Sequence, residues 1–111
     1  RLSRVSEAKL QEGMILSNEP GYYREGAFGI RIENLIVVQK APDMDGADDR
    51  DMLGFKNLTW VPIDRRLIAT SILSPAERTW INTYHQQVRD KISPLLSQKA
   101  ALWLRQATEA L

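Results

Sequence analysis

The chain of 111 residues has no cysteine and a single histidine. Without thiols it can carry neither a disulfide framework nor a thiolate-ligated metal. The lone imidazole, His85, has Ile81 and Arg89 one helical turn to either side, so no second ligand shares its face; it reads as a helix histidine hydrogen-bonded near the edge of a core. No apolar run approaches the roughly twenty residues that a membrane helix needs, and no basic start followed by an apolar centre marks a signal sequence. A dominant charge is lacking too: 15 Lys and Arg stand against 14 Asp and Glu, a formal net charge of +1 with no basic stripe. Neither a membrane nor a nucleic acid is an expected partner, and a cytoplasmic setting is expected. No internal repeat is apparent. A chain of this length buries roughly two-thirds of its extended surface, which limits it to one domain with a modest core.

What the chain does have is a pair of glutamates in a strand-rich first third. Residues 14–18 form a short apolar run and residues 29–38 a longer β-branched one, with Pro20, Gly21, Gly26 and Gly29 punctuating the interval. That pattern predicts a β-hairpin. Alternation along the second strand puts Arg31, Glu33 and Leu35 on one face and Ile30, Ile32 and Asn34 on the other. Glu19 closes the first strand just before Pro20 ends regular pairing, so Glu19 and Glu33 are expected side by side across the hairpin. Carboxylates in an apolar ribbon are costly to bury unless paired or bound to a cation. Oxygen ligands of this kind suit manganese, magnesium or zinc. The competing reading makes Glu33 a solvated strand residue, with Arg31 as a surface ion-pair partner of little energetic weight. Spacing alone leaves both open.

Residues 1–11 read as a connecting segment with an edge strand around residues 2–5. Residues 41–51 are rich in Asp, Gly and Pro and predict a solvated loop. Asp43, Asp45 and Gly46 hint at a calcium loop, but the glutamate at its twelfth position and the flanking helices are missing. Residues 52–63 resume the strand pattern through Phe55, Leu58, Trp60 and Val61, with Pro62 marking an edge or an end. A helix starts at Ser74-Pro75-Ala76-Glu77, a capping box with proline at the first helical position, and loss of the Ser74 hydroxyl is expected to cost about 1 kcal/mol. Trp80, Ile81, Tyr84, Val88 and Ile92 form its core-facing stripe. Pro94 ends it, and residues 98–109 predict a second helix through Leu102 and Trp103. Trp60, Trp80 and Trp103 read as core residues.

Two motifs together carry a family resemblance. Gly13-Met14-Ile15-Leu16-Ser17-Asn18-Glu19-Pro20-Gly21-Tyr22-Tyr23 and Gly26-Ala27-Phe28-Gly29-Ile30-Arg31-Ile32-Glu33-Asn34 resemble the C-terminal catalytic segment of aminopeptidase P, the Xaa-Pro aminopeptidases of the pita-bread metallopeptidases. The likeness continues through Leu58-Thr59-Trp60-Val61-Pro62-Ile63-Asp64 and Trp80-Ile81-Asn82-Thr83-Tyr84-His85 to the helix around Trp103. The short interval between the glutamates is similar to that of the cytosolic, longer-chain members. The resemblance implies an α+β fold, the C-terminal portion of the pita-bread architecture, with a curved antiparallel sheet and C-terminal helices. Residues 1–111 would be a single partial domain in which residues 1–64 supply the sheet and metal-ligand hairpin and residues 74–111 the helices. It further implies that Glu19 ligates one of two divalent metal ions and helps move a proton, and that Glu33 bridges both. Arg31 would lie close to the site and Tyr23 beside the active-site glutamate. Manganese is the expected metal, with zinc or cobalt as alternatives.

The family's two aspartates and its histidines lie upstream of the segment resembled here. The chain is therefore expected to be a fragment that binds metal poorly, does not catalyse alone, and has the upstream half of the catalytic domain as its partner. The whole enzyme would release the first residue from peptides with proline at the second position, and a homo-oligomer is expected. A prolidase-type dipeptidase and a scaffold module that lost catalysis are the alternatives. The presence of both glutamates and Arg31 argues against the scaffold. Without the other half, the sheet face carrying Ile30, Ile32 and Val37 is expected to be partly uncovered.

Overall fold

A computed structural model describes residues 8–111, so the edge strand expected at residues 2–5 lies outside the described residues. The chain divides into two compact units, residues 1–59 and residues 60–111.

In the first unit the expected hairpin is present, but it is longer and interrupted. Strand β1 (Ile15–Asn18) pairs antiparallel with β4 (Asn34–Lys40), and β2 (Gly21–Arg24) pairs antiparallel with β3 (Phe28–Arg31). A fifth strand, β5 (Leu53–Asn57), lies along β4 to give the order β1-β4-β5. The expectation that Pro20 ends regular pairing is thereby corrected. Proline has no N–H to give, but its carbonyl still accepts from the Ile32 N–H at 3.2 Å, and pairing resumes at Gly21 opposite Arg31. Ile15 faces Val37, Asn18 faces Asn34 and Arg24 faces Phe28, so both ladders are reflected about Gly26 and no residue is inserted at the interruption. At the tip the Ala27 N–H donates to the Arg24 carbonyl at 3.1 Å. Gly26 has φ +67°, the conformation that the third position of such a turn requires of glycine.

The Gly13 N–H donates to the Val38 carbonyl (2.9 Å) and the Val38 N–H to the Met14 carbonyl (2.8 Å), extending the pairing of β4 beyond β1. Among the described residues of this unit, Val38 is the fully buried apolar one. The strand pattern read over residues 52–63 is realised only as far as Asn57. Beyond it the Leu58 N–H still donates to the Leu35 carbonyl at 2.8 Å, and the Leu35 N–H donates to the Thr59 hydroxyl, at 2.8 Å, in place of a ladder carbonyl. Residues 41–51 hold neither helix nor paired strand, and Asp48 is engaged by Arg50 at 2.6 Å. Ile30 and Ile32 are each 48% exposed, but strand alternation puts half-buried Val37 on the opposite face, so the three do not form the single uncovered face that was expected.

In the second unit, helix α1 (Pro75–Ile92) begins as the capping box predicts. The Ser74 hydroxyl accepts from the Glu77 N–H at 3.2 Å while the Glu77 carboxylate accepts from the Ser74 N–H at 2.8 Å. The Ser74 N–H, and then the Ser74 hydroxyl donating to the same carboxylate at 2.7 Å, hold the Glu77 carboxyl below its ordinary pKa. Ile81, Tyr84, His85 and Val88 form the buried stripe. Trp80 departs from the expected core position: it is 56% exposed, with one ring face stacked on Tyr84 at 5.6 Å between centroids. Pro94 ends the helix in a short 3-10 turn, Ser93–Leu95.

Helix α2 (Gln98–Ala107) does not bury Leu102 and Trp103, which are about 60% exposed. It buries Leu104, with Ala100, Ala101 and Ala107 half-buried on the same face. Small residues at helical spacing let that face approach its neighbours closely, and the bulkier side chains face outward. Tyr84, Val88 and Leu104 form the core, covered by Trp60, Ile63, Ile92 and Leu96.

The extended segment before the helices is fastened to α1 by side chains. Tyr84 Oη donates to the Val61 carbonyl at 2.8 Å and accepts from the Val61 N–H at 3.3 Å, and His85 Nε2 accepts from the Ile63 N–H at 3.0 Å. Pro62 lies between them and has no N–H to satisfy, so each backbone donor from residue 61 to residue 63 has a partner on the helix.

Candidate metal centre

Both glutamates occupy the interruption of the ribbon. Carrying the register of the flanking ladders across it sets Glu19 opposite Glu33, the juxtaposition expected from sequence. Both residues are exposed. Arg31 Nε lies 3.0 Å from Glu33 Oε2, so the ion pair of the competing sequence reading is also present. The Arg31 guanidinium is held above its ordinary pKa, most by the neighbouring Tyr23 hydroxyl, then by the charge of Glu33, and least by Glu19. Arg31 is thus the common neighbour of the other three residues singled out from the sequence.

Strand alternation explains why Tyr23 and not Tyr22 belongs to this cluster. Tyr23 faces Gly29 across the ribbon and shares the face of Gly21 and Arg31. Tyr22 faces Ile30 on the opposite side and lies against Phe28, with ring centroids 6.0 Å apart. Sequence reasoning missed the two glycines under Tyr23. Glycine two residues before a tyrosine and glycine opposite it were the available signal, legible only once the register was known.

Among the described residues no group of three or more His, Cys, Asp or Glu side chains could hold a metal ion. Paired carboxylate oxygens are the right chemistry for a hard divalent ion, but two of them leave most of a four- to six-coordinate shell unfilled. The residues present therefore fit part of a metal centre. His85 is not available to complete it, since its Nε2 is taken by Ile63 and the ring is fully buried. Burial first, then the charges of Arg65 and Arg89, push its pKa down and keep the ring neutral.

An antiparallel frame with facing carboxylates at a break in one ribbon, followed by packed helices, is suited to a metal-dependent hydrolase. The model of metallopeptidase family M24 matches residues 2–40, and that of the C-terminal region of peptidase_M24 matches residues 51–111. The chain belongs to this metallopeptidase family.

Over 101 residues the chain is 45% identical to a probable Xaa-Pro aminopeptidase P of Coprinopsis cinerea, covering 89% of this chain and 16% of the relative. Over 107 residues it is 44% identical to the corresponding protein of Tuber melanosporum, covering 95% and 17%. The crystal structure of X-prolyl aminopeptidase from Caenorhabditis elegans, described as a cytosolic enzyme with a di-nuclear active site, superposes with a TM-score of 0.82 at 33% identity. That match covers 92% of this chain and 17% of the worm enzyme. The chain spans about a sixth of the length of these relatives. Its fold is the α+β arrangement of pita-bread aminopeptidase P, with antiparallel sheets and two C-terminal helices, as the resemblance implied.

Proposed function

We propose that this chain supplies the carboxylate ribbon of a dinuclear Xaa-Pro aminopeptidase, and that Glu19 and Glu33 hold divalent ions together with donors from outside the chain. The register that sets Glu19 opposite Glu33, with Arg31 beside them, is the observation that carries the reading. Glu33 would contact both ions and Glu19 one, with manganese as the metal. Such ions act as Lewis acids on the scissile carbonyl and lower the pKa of the attacking water.

The chain's own residues divide the remaining work. Arg31 orients the Glu33 carboxylate through an ion pair at Oε2, so that its placement does not depend on the metal ion alone. The Tyr23 hydroxyl lies over Gly21, the cross-strand partner of Arg31, where it would favour the charged guanidinium beside the carboxylates. Glu19 carries the proton that the leaving proline nitrogen must receive when the peptide bond breaks. The substrates are peptides with proline at the second position, the specificity that the relatives' names describe. A cytosolic setting follows the worm relative, and a homo-oligomeric enzyme is part of the same proposal.

The test is an assay of the full-length protein, stripped of metal and reloaded separately with manganese, zinc or cobalt. Manganese is expected to restore release of the first residue from a peptide with proline second and not from one with alanine second. Failure to release it with any of the three metals contradicts the proposal. The 111 residues alone are expected to release nothing.

A further inference from the structure

We infer that Gly21 and Gly29 are positioning residues: they form a seat on the ribbon that lays the Tyr23 ring across the sheet and sets its hydroxyl over Gly21, beside the Arg31 position. The inference rests on the metallopeptidase reading above for its functional consequence. A methyl group built on Gly29 would stand 2.8 Å from Tyr23 Cδ1 and 3.2 Å from Cε1. One built on Gly21 would stand 2.7 Å from Tyr23 Oη and 2.9 Å from Cε2 and Cζ. The ring therefore starts over Gly29, its own cross-strand partner, and runs along the face to Gly21, whose partner is Arg31.

Glycine is a poor choice in a strand, and neither position needs it for backbone reasons. The glycines with positive φ are Gly13, Gly26 and Gly46, so Gly21 and Gly29 adopt conformations open to any residue. What both share is the close approach of one side chain. Tyr23 is 64% exposed, so its ring can swing outward without disturbing a core. A methyl group at Gly29 is then relieved by moving the ring, which leaves the ribbon folded and takes the hydroxyl away from Arg31.

A double-mutant cycle on the full-length enzyme tests this. Tyr23→Phe keeps the ring and removes the hydroxyl, whereas Gly29→Ala keeps the hydroxyl and moves it. Each is expected to lower kcat/KM by at least about tenfold, mainly through kcat and at unchanged metal content. The double variant is expected to be no worse than Tyr23→Phe. Wild-type kcat/KM in Gly29→Ala, or losses that multiply in the double variant, would overturn the inference. If Gly29→Ala is unstable, a Tyr23→Ala background should restore its melting temperature, and instability that persists there also overturns it.

Absence of Xaa-Pro activity in the wild type would sink the functional reading and not the seat, which NMR of glycine-labelled protein reads directly. The Gly21 α-protons should be shifted by the Tyr23 ring current, and Gly29→Ala and Tyr23→Ala should each abolish that shift. A Gly21 signal that Gly29→Ala leaves in place counts against the seat.

Discussion

Arg31, the last residue of β3, has its Nε 3.0 Å from Oε2 of Glu33, which lies in the break before β4. Both side chains keep substantial exposure, 53% and 38%, so their pairing adds little to folding. Its value lies in orienting a carboxylate that is otherwise free to rotate.

Arg31→Lys in the full-length enzyme is therefore expected to leave the melting temperature unchanged while kcat/KM falls by about 10–100-fold. A lysine cannot serve Tyr23 and Glu33 with the planar fork that arginine offers. Steady-state kinetics beside a thermal melt makes the comparison, and unchanged kcat/KM would remove Arg31 from the site.

Tyr84→Phe keeps the ring between Trp60 and Trp80, whose centroids lie 6.0 and 5.6 Å away, but removes both hydrogen bonds to Val61. The Val61 amide and carbonyl then lose their partner on the helix. A loss of about 1–3 kcal/mol is expected in urea unfolding. A change below the error of the measurement would mean that water replaces the hydroxyl without cost.

His85 gives the chain a pH dependence of definite sign. The unfolded chain binds a proton on this imidazole near pH 6.5, whereas burial and the charges of Arg65 and Arg89 hold the folded pKa lower. Below about pH 6.5 the unfolded state binds more protons than the folded one, so stability is intact above that value and falls as the pH drops toward the folded pKa. The urea midpoint should decline between about pH 7.5 and 5.5, a range above the ordinary carboxylate titration. His85→Gln, which can still accept from the Ile63 amide, should remove that decline. A decline of equal size in the variant would assign it to other groups.

Legibility in the sequence followed how local each determinant is. Helix α1 announces itself, because Ser74, Pro75 and Glu77 specify its start within one turn and Ile81, Tyr84 and Val88 specify its buried face. The facing of Glu19 and Glu33 was legible because two strand-like runs flank a glycine-punctuated turn. Strand β2 was hidden, since Pro20-Gly21 reads as a stop whereas the Pro20 carbonyl still holds the ribbon together through Ile32. The buried face of α2 was misread because bulky Leu102 and Trp103 draw the eye, while close packing is made by alanines around Leu104. The glycine seat under Tyr23 was out of reach for a further reason, as it depends on the pairing of Tyr23 with Gly29 across the strands. The remaining metal donors follow from none of the described residues, among which Glu19 and Glu33 make no group of three ligands.

The most direct test of the account measures metal content and Xaa-Pro turnover together in the full-length enzyme and its Glu33→Ala variant, by elemental analysis of the purified protein and release of the first residue from a proline-second peptide. The account predicts that Glu33→Ala loses bound metal and turnover together. A variant that keeps its full metal content and cleaves at the wild-type rate would contradict the assignment of Glu33 to the metal centre.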